Sequence, residues 1–275
     1  MTGRCEEPVP APSMSRRDVE AAGLRAAPDA EAYLRAHSGL PGPRGNLELI
    51  DVASGALERS DLVRWAALDP DAAPENTPGV FLVCVGVVGL GRLVARGDRT
   101  VLPGLRRSAS DLRWRVREAV AMALQAWGDV EPDAMVDEAE RWVDGSFLEG
   151  RAAMAALCEP RLLRDRRTIE RTIAVLDRLT TSIRDSVDRK DAGLRVLRLA
   201  LGYGWSVAAT ADMAIGVPAM ERWLTDPDRD VRWIVRENLG KARLARLAPD
   251  WVAHAMEVAR GEARLAGDPG SAQTG

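Results

Sequence analysis

An octapeptide that occurs twice constrains this chain more than any other feature. Asp111-Leu-Arg-Trp-Arg-Val-Arg-Glu118 returns as Asp230-Val-Arg-Trp-Ile-Val-Arg-Glu237, with six of eight residues identical and an offset of 119. That offset is close to three units of about 40 residues, a period that belongs to arrays of stacked helical units. The flanks agree. Val101-Leu-Pro-Gly-Leu-Arg-Arg and Val217-Pro-Ala-Met-Glu-Arg-Trp precede the two copies. Each reads as a short amphipathic helix with Pro in its first turn, where the missing N–H costs nothing. An Asp-containing turn follows, then a longer helix opening on Val-Arg.

Hydrophobic spacing is helical nearly throughout residues 17–262. In 111–127, Leu112, Val116, Ala119, Val120, Ala123, Leu124 and Trp127 recur mostly three and four apart, which marks one face of a helix. Residues 229–244 repeat the pattern with Val231, Ile234, Val235, Leu239 and Ala242. The run from Val80 to Val88 is β-branched, but no neighbouring segment offers a partner strand, so it reads as a buried helix. Within it, Gly86-Val-Val-Gly-Leu-Gly91 reverses the spacing of a dinucleotide-binding fingerprint and lacks its βαβ setting. Its small residues are expected to let two helices approach closely. Arg195 to Ala209 is apolar nearly all round, as a helix sandwiched between units would be. Turn signals such as Leu40-Pro41-Gly42-Pro43, Asp69-Pro70, Gly128-Asp129 and Asp226-Pro227 imply short connections between antiparallel neighbours. The fold class is therefore all-α, an α-α superhelix of stacked antiparallel helix pairs.

Leu102-Pro103…Asp111…Val116-Arg117 and Pro218…Asp226…Val231-Arg232 together resemble the HEAT-repeat, or armadillo-like α-solenoid, family. The resemblance implies that the turn Asp caps the second helix of each pair. It also implies that the Arg reaches a neighbouring repeat's Asp to form a ladder. A helix pair in such an array cannot bury its apolar face alone, so stability comes largely from neighbour interfaces. The expected organisation is a disordered segment at 1–16, a HEAT-like domain at 17–265 and a disordered tail at 266–275. The domain divides into an irregular N-terminal cap at 17–68 and repeats at 79–262. Asp111 and Asp230 are expected to be helix N-caps.

Composition narrows the function classes. A net charge of −3 with 46% hydrophobic residues supports a substantial core and excludes a wholly disordered chain. Three Cys without paired spacing exclude a disulfide scaffold and a four-Cys zinc site. His37 and His254 are too far apart in sequence to suggest a metal centre, so no metal and no cofactor is expected. Cys84 and Cys158 read as small core residues. The longest apolar run, Val80 to Leu90, has eleven residues, whereas a membrane span needs about 20. A cytoplasmic location, reduced thiols and no membrane contact are expected.

Arginine and tryptophan carry the candidate site. Eight of twelve aromatic residues are Trp, and 36 Arg stand against two Lys. On helices, Arg232, Arg236 and Arg243 share a face, as do Arg113 and Arg117. Stacking would align these faces into a basic strip with Trp114 and Trp233 at equivalent places beside it. Such a strip can grip phosphates and stack on bases, or receive an acidic peptide. The competing reading is the ladder itself with packed Trp, and the acidic pI near 5.6 favours it. The HEAT resemblance extends to DNA alkylation-repair glycosylases, which use a concave basic groove with Trp and an Asp. No catalytic Asp aligns here, so none is assigned. Ser206 lacks the second Gly of a nucleophile elbow, and Glu138 and Glu140 fall on different faces, as on a solvated surface. The expected function is a non-catalytic scaffold that binds another protein on its concave face. Nucleic-acid binding or glycosylase-like activity is the alternative. Arg117, Arg232 and Arg236 paired with Asp of adjacent repeats would favour the scaffold; an open groove with exposed Trp would favour nucleic acid.

Overall fold

The computed structural model describes residues 14–266, with side chains as far as residue 261. It contains fifteen α-helices and, among the described residues, no strand. In chain order they are α1 (Arg16–Ala26), α2 (Ala30–Ala36), α3 (Leu47–Ala56), α4 (Arg59–Ala66) and α5 (Pro78–Ala95). Next come α6 (Leu102–Ser108), α7 (Trp114–Gly128), α8 (Pro132–Trp142), α9 (Phe147–Leu157) and α10 (Arg166–Asp185). The last five are α11 (Ala192–Ala211), α12 (Met213–Glu221), α13 (Arg229–Leu239), α14 (Ala242–Leu247) and α15 (Pro249–Ala266). Of the two expected terminal segments, residues 1–13 and 267–275 lie outside the described residues. Arg16 and Ala266, expected within those segments, instead open α1 and close α15.

Short polar side chains set the helix starts. Ser15, Asp29, Asn46, Asp165, Asp191 and Asp228 each accept a backbone N–H of the first turn, which satisfies a donor the helix leaves free. At α9, Ser146 and Glu149 form a reciprocal capping box.

The odd-numbered helices pack in sequence, each on the next, from α1 to α15. The even-numbered helices lie against this row: α4 and α6 on α5, α8 on α7 and α9, α10 and α12 on α11. Helix α5 is long and apolar enough to cross a membrane by length and composition. Fifteen of its eighteen residues are buried, enclosed by α3, α4 and α7, so its apolarity is that of a core helix. Its glycines permit this. A Cβ on Gly91 would stand 2.1 Å from the carbonyl oxygen of Ala123 in α7, and one on Gly86 2.4 Å from the backbone nitrogen of Ala66 in α4. The expected close approach of helices is present, on two sides of α5.

Arginine–acid ties between packed helices repeat one spacing. Arg92 to Asp51, Arg59 to Asp98, Arg106 to Glu149, Arg171 to Glu140, Arg189 to Asp228 and Arg222 to Asp177 are 31 to 45 residues apart. Most are partly exposed and individually worth at most about 1 kcal/mol; their effect is to fix register between neighbours.

The two octapeptides are not equivalent in structure. In the second copy Asp228 caps α13, and Asp230 lies inside the helix, buried, accepting from Arg189 and ion-paired with Arg198. In the first copy the residue aligned with Asp228 is Ala109, which has no side-chain acceptor. Helix α7 therefore begins one turn later, at Trp114, and Arg113 occupies the cap position. Neither Asp111 nor Asp230 is a helix N-cap, contrary to expectation. A four-residue slip is close to one helical turn, so Val116 and Val235 are both still buried. Leu112, expected on the apolar face, is 85% exposed in the turn before α7. Pro103 sits in the first turn of α6 as expected, whereas Pro218 lies inside α12, which starts at Asp212 and Met213.

Candidate functional site

The structure separates the seven candidate residues. Arg113 is only 4% exposed. Its guanidinium holds the Asp111 carboxylate through two bonds of 2.9 and 2.7 Å. It also donates to the carbonyls of Leu68, Asp69 and Ala73 at 2.8, 3.2 and 2.9 Å. The Asp111 bonds raise its pKa against the opposing effect of burial. Arg113 thus fastens the α4–α5 loop to the start of α7. Arg117 donates to the carbonyls of Asp111 and Leu112 at 2.6 and 2.9 Å. Burial, and next the charge of Arg151, lower its pKa.

Trp114 is the first residue of α7, 48% exposed, with the Arg115 guanidinium 4.5 Å from its ring centre. Trp233 is instead the fifth residue of α13. It is half-buried against Gly202 of α11, with the Arg198 guanidinium 4.1 Å from its ring centre. The two Trp do not occupy equivalent places. Arg232, Arg236 and Arg243 form no ion pair among the described residues, and Arg243 lies on α14 rather than on one helix face with the two arginines of α13, contrary to expectation. The ladder between neighbouring helices is therefore built by arginines other than the candidates. Its signal was present in sequence as acid–Arg spacings of 31 to 45, with no motif to single them out.

A cavity of about 570 Å³ opens on the row of odd-numbered helices. It is walled by the segment before α3 and by α3, α5, α7, α9 and α11. Helix α7 supplies Trp114, Glu118, Met122 and Gln125, the face opposite its buried Val116, Val120 and Leu124 stripe. Phe81, Ile50 and Ala155 add apolar floor, and Arg44 and Leu47 stand at one side. The acids at its rim are already paired, Glu118 with Arg151 and Glu159 with Arg161. Arg115 is held by Glu75 and by the Gly42 carbonyl, whereas Arg44 is exposed and enters no ion pair among the described residues. At the far wall, burial raises the pKa of the Tyr203 hydroxyl.

Both core cysteines, as expected, are buried, and both touch this cavity from below. Desolvation pushes their thiols up to about 12, so at neutral pH neither is the thiolate a nucleophile requires. No His, Asp or Lys lines the cavity, and no three His, Cys, Asp or Glu side chains cluster as a metal cage among the described residues. The arrangement suits binding of an apolar or aromatic group. A second cavity of about 670 Å³ lies between α4, α6 and the start of α7. It is more polar, and its Arg59 and Arg113 are committed to Asp98 and Asp111.

The remaining candidates are structural. His37 closes α2, stacked on Tyr33, with Nδ1 2.9 Å from the Tyr33 carbonyl. Ser206 is buried in α11 and donates to the Tyr203 carbonyl. Glu138 and Glu140 are less solvated than expected: Glu138 accepts from the buried Trp142 indole, and Glu140 from Arg171. Among known proteins, no family model, no curated protein and no solved structure matches this chain.

Proposed function

We propose that this chain is a HEAT-like helical-repeat module that binds a segment of a partner protein on the face formed by its odd-numbered helices. The observation that carries this reading is the shared cavity wall. Leu40 and Leu47 bound the same space as Tyr203 of α11, although α5, α7 and α9 lie between them in the row. A row that bends around the cavity, as a solenoid's concave face does, brings those residues together. The one-unit spacing of the arginine ties supports the repeat reading. A cleft with an apolar floor, an exposed Trp and few free polar groups supports binding rather than catalysis.

Site-specific photo-crosslinking tests it. A benzophenone side chain at Leu47 or Met122 is expected to capture a protein in the native cell, whereas one at the exposed Val130 captures none. Equal capture at all three positions would refute the groove.

Two observations favour the second reading, nucleic-acid binding: the freedom of Arg232, Arg236 and Arg243 from acidic partners among the described residues, and the exposed ring of Trp114 in the open cavity. Titration with an oligonucleotide at about 50 and about 200 mM salt decides it. Binding that strengthens as salt falls, and that Arg232→Ala with Arg236→Ala abolishes, would replace the protein-partner reading.

A further inference from the structure

We infer that the segment bound in this groove is acidic and carries one bulky apolar side chain, which seats against Trp114 while flanking carboxylates meet Arg44 and Arg243. The inference rests on the groove reading above and adds the chemistry of its partner. Three observations support it.

The first is shape. A cavity of about 570 Å³ floored by Phe81, Met122 and Ala155 has room for a large side chain. It falls within the roughly 300–1,000 Å³ of clefts that hold drug-sized ligands. Met122 adds an adaptable surface, and Trp114 offers a flat exposed ring at the mouth.

The second is charge. Most arginines of this chain are spent on acids, but Arg44 on the cavity wall and Arg243 near its far end are not. Arg243 is carried by α14, which packs on α11, the helix that presents Tyr203 at that end. Glu118 and Glu159 are neutralised by Arg151 and Arg161, so the uncompensated charge at the groove is positive.

The third is the Tyr203 hydroxyl. It remains protonated at neutral pH and accepts or donates no hydrogen bond among the described residues. A carboxylate arriving there would gain an O–H donor on α11, the helix against which the Arg243-bearing α14 packs. A nucleic-acid strand fits less well, because its bases would find one ring rather than a series of stacking platforms.

Panning a phage-displayed library of random dodecapeptides against the full chain tests the inference, with Trp114→Ala protein as counter-selection. Enriched peptides should contain a Trp, Phe or Leu flanked by Asp or Glu. For a fluorescein-labelled winner followed by anisotropy, replacing the apolar anchor by Ala should weaken binding at least about tenfold. Arg44→Glu and Arg243→Glu should each weaken it about fivefold, and replacing the peptide's acids by Lys should reverse that preference. All three protein variants alter side chains outside the core, and an unchanged Tm confirms that each is folded. Winners that are neutral or basic, or indifference to both charge reversals while Trp114→Ala abolishes binding, would overturn the acidic partner and leave the groove reading intact. Absence of any Trp114-dependent peptide, or displacement of the peptides by an oligonucleotide, would overturn the groove reading and this inference with it.

Discussion

Replacing Arg113 by Ala should destabilise the protein severely, for reasons its contacts make quantitative. The truncation removes every side-chain donor now serving the carbonyls of Leu68, Asp69 and Ala73, and strands the Asp111 carboxylate that Arg113 neutralises. One buried acceptor left unsatisfied costs about 1–3 kcal/mol, and breaking a buried ion pair by deleting one partner costs about 3–5 kcal/mol. Asp111 is 16% exposed in its side chain, so water recovers part of that loss. About 4 kcal/mol is the expected result, a large share of the roughly 5–15 kcal/mol that holds a domain folded. Arg113→Lys keeps the charge but not the planar fork that reaches two backbone directions at once, and should lose about 2 kcal/mol. Urea unfolding followed by tryptophan fluorescence measures both. With a slope near 2 kcal/mol per molar, the midpoint of the Ala variant should fall by roughly 2 M. The neighbouring Trp114→Ala, which removes an exposed ring, should shift stability by less than about 1 kcal/mol. An Arg113→Ala protein as stable as the parent, or one rescued fully by Lys, would refute the assignment of Arg113 as a loop clamp.

Three further outcomes are expected. Gly91→Ala drives a methyl into the Ala123 backbone of α7. It should cost at least the roughly 1–3 kcal/mol typical of overpacked cores, read as a lowered Tm. The thiols of Cys84 and Cys158 are pushed from an ordinary 9.0 to about 12. The unfolded chain therefore ionises first, and the stability they contribute is complete below pH 9 and declines from there toward pH 12. Each adds a slope of at most about 1.4 kcal/mol per pH unit, so Cys84→Ala with Cys158→Ala should flatten the alkaline limb of a stability–pH curve. For Glu149, burial raises the carboxyl pKa, but the Arg106 guanidinium and the Ser146 N–H outweigh it and lower the value overall. Its contribution is present above the usual carboxylate range and lost as pH falls through the lowered value. Glu149→Gln should thus weaken the protein at neutral pH and leave it less sensitive to acid, as thermal melts from pH 6 to 3 would show.

The helical architecture was legible because burial along a helix is a local pattern. The stripe Val116, Val120, Leu124 and the all-round burial of α5 follow from spacing alone. The glycines of α5 were legible for the same reason, as small residues in an apolar helix. The site was less so. The octapeptide promised equivalent Trp residues, but its two copies start their helices at different places: Asp228 caps α13, whereas the aligned Ala109 has no side-chain acceptor and α7 starts four residues later in register. That single difference moves Trp114 into the open and leaves Trp233 half-buried against Gly202. Arg113 and Arg232 match in sequence yet differ in use, because only Arg113 meets the carbonyls of a long preceding loop. The cavity itself was invisible to sequence reasoning. Its walls come from residues as far apart as Leu40 and Tyr203, which no local periodicity connects.

The arginine contact that reaches furthest from the segment before α3, Arg115 to the Gly42 carbonyl, stops at α7, and among the described residues no ion pair joins that segment directly to α11. The two walls keep their distance only through the accumulated stiffness of the interfaces between them. A side chain seated in the cavity would touch both at once and serve as a keystone. It would add stability in proportion to its occupancy, and it would also make the early and late helices open together. Amide exchange in α3 and α11, independent in the free protein, should become synchronised when the cavity is filled.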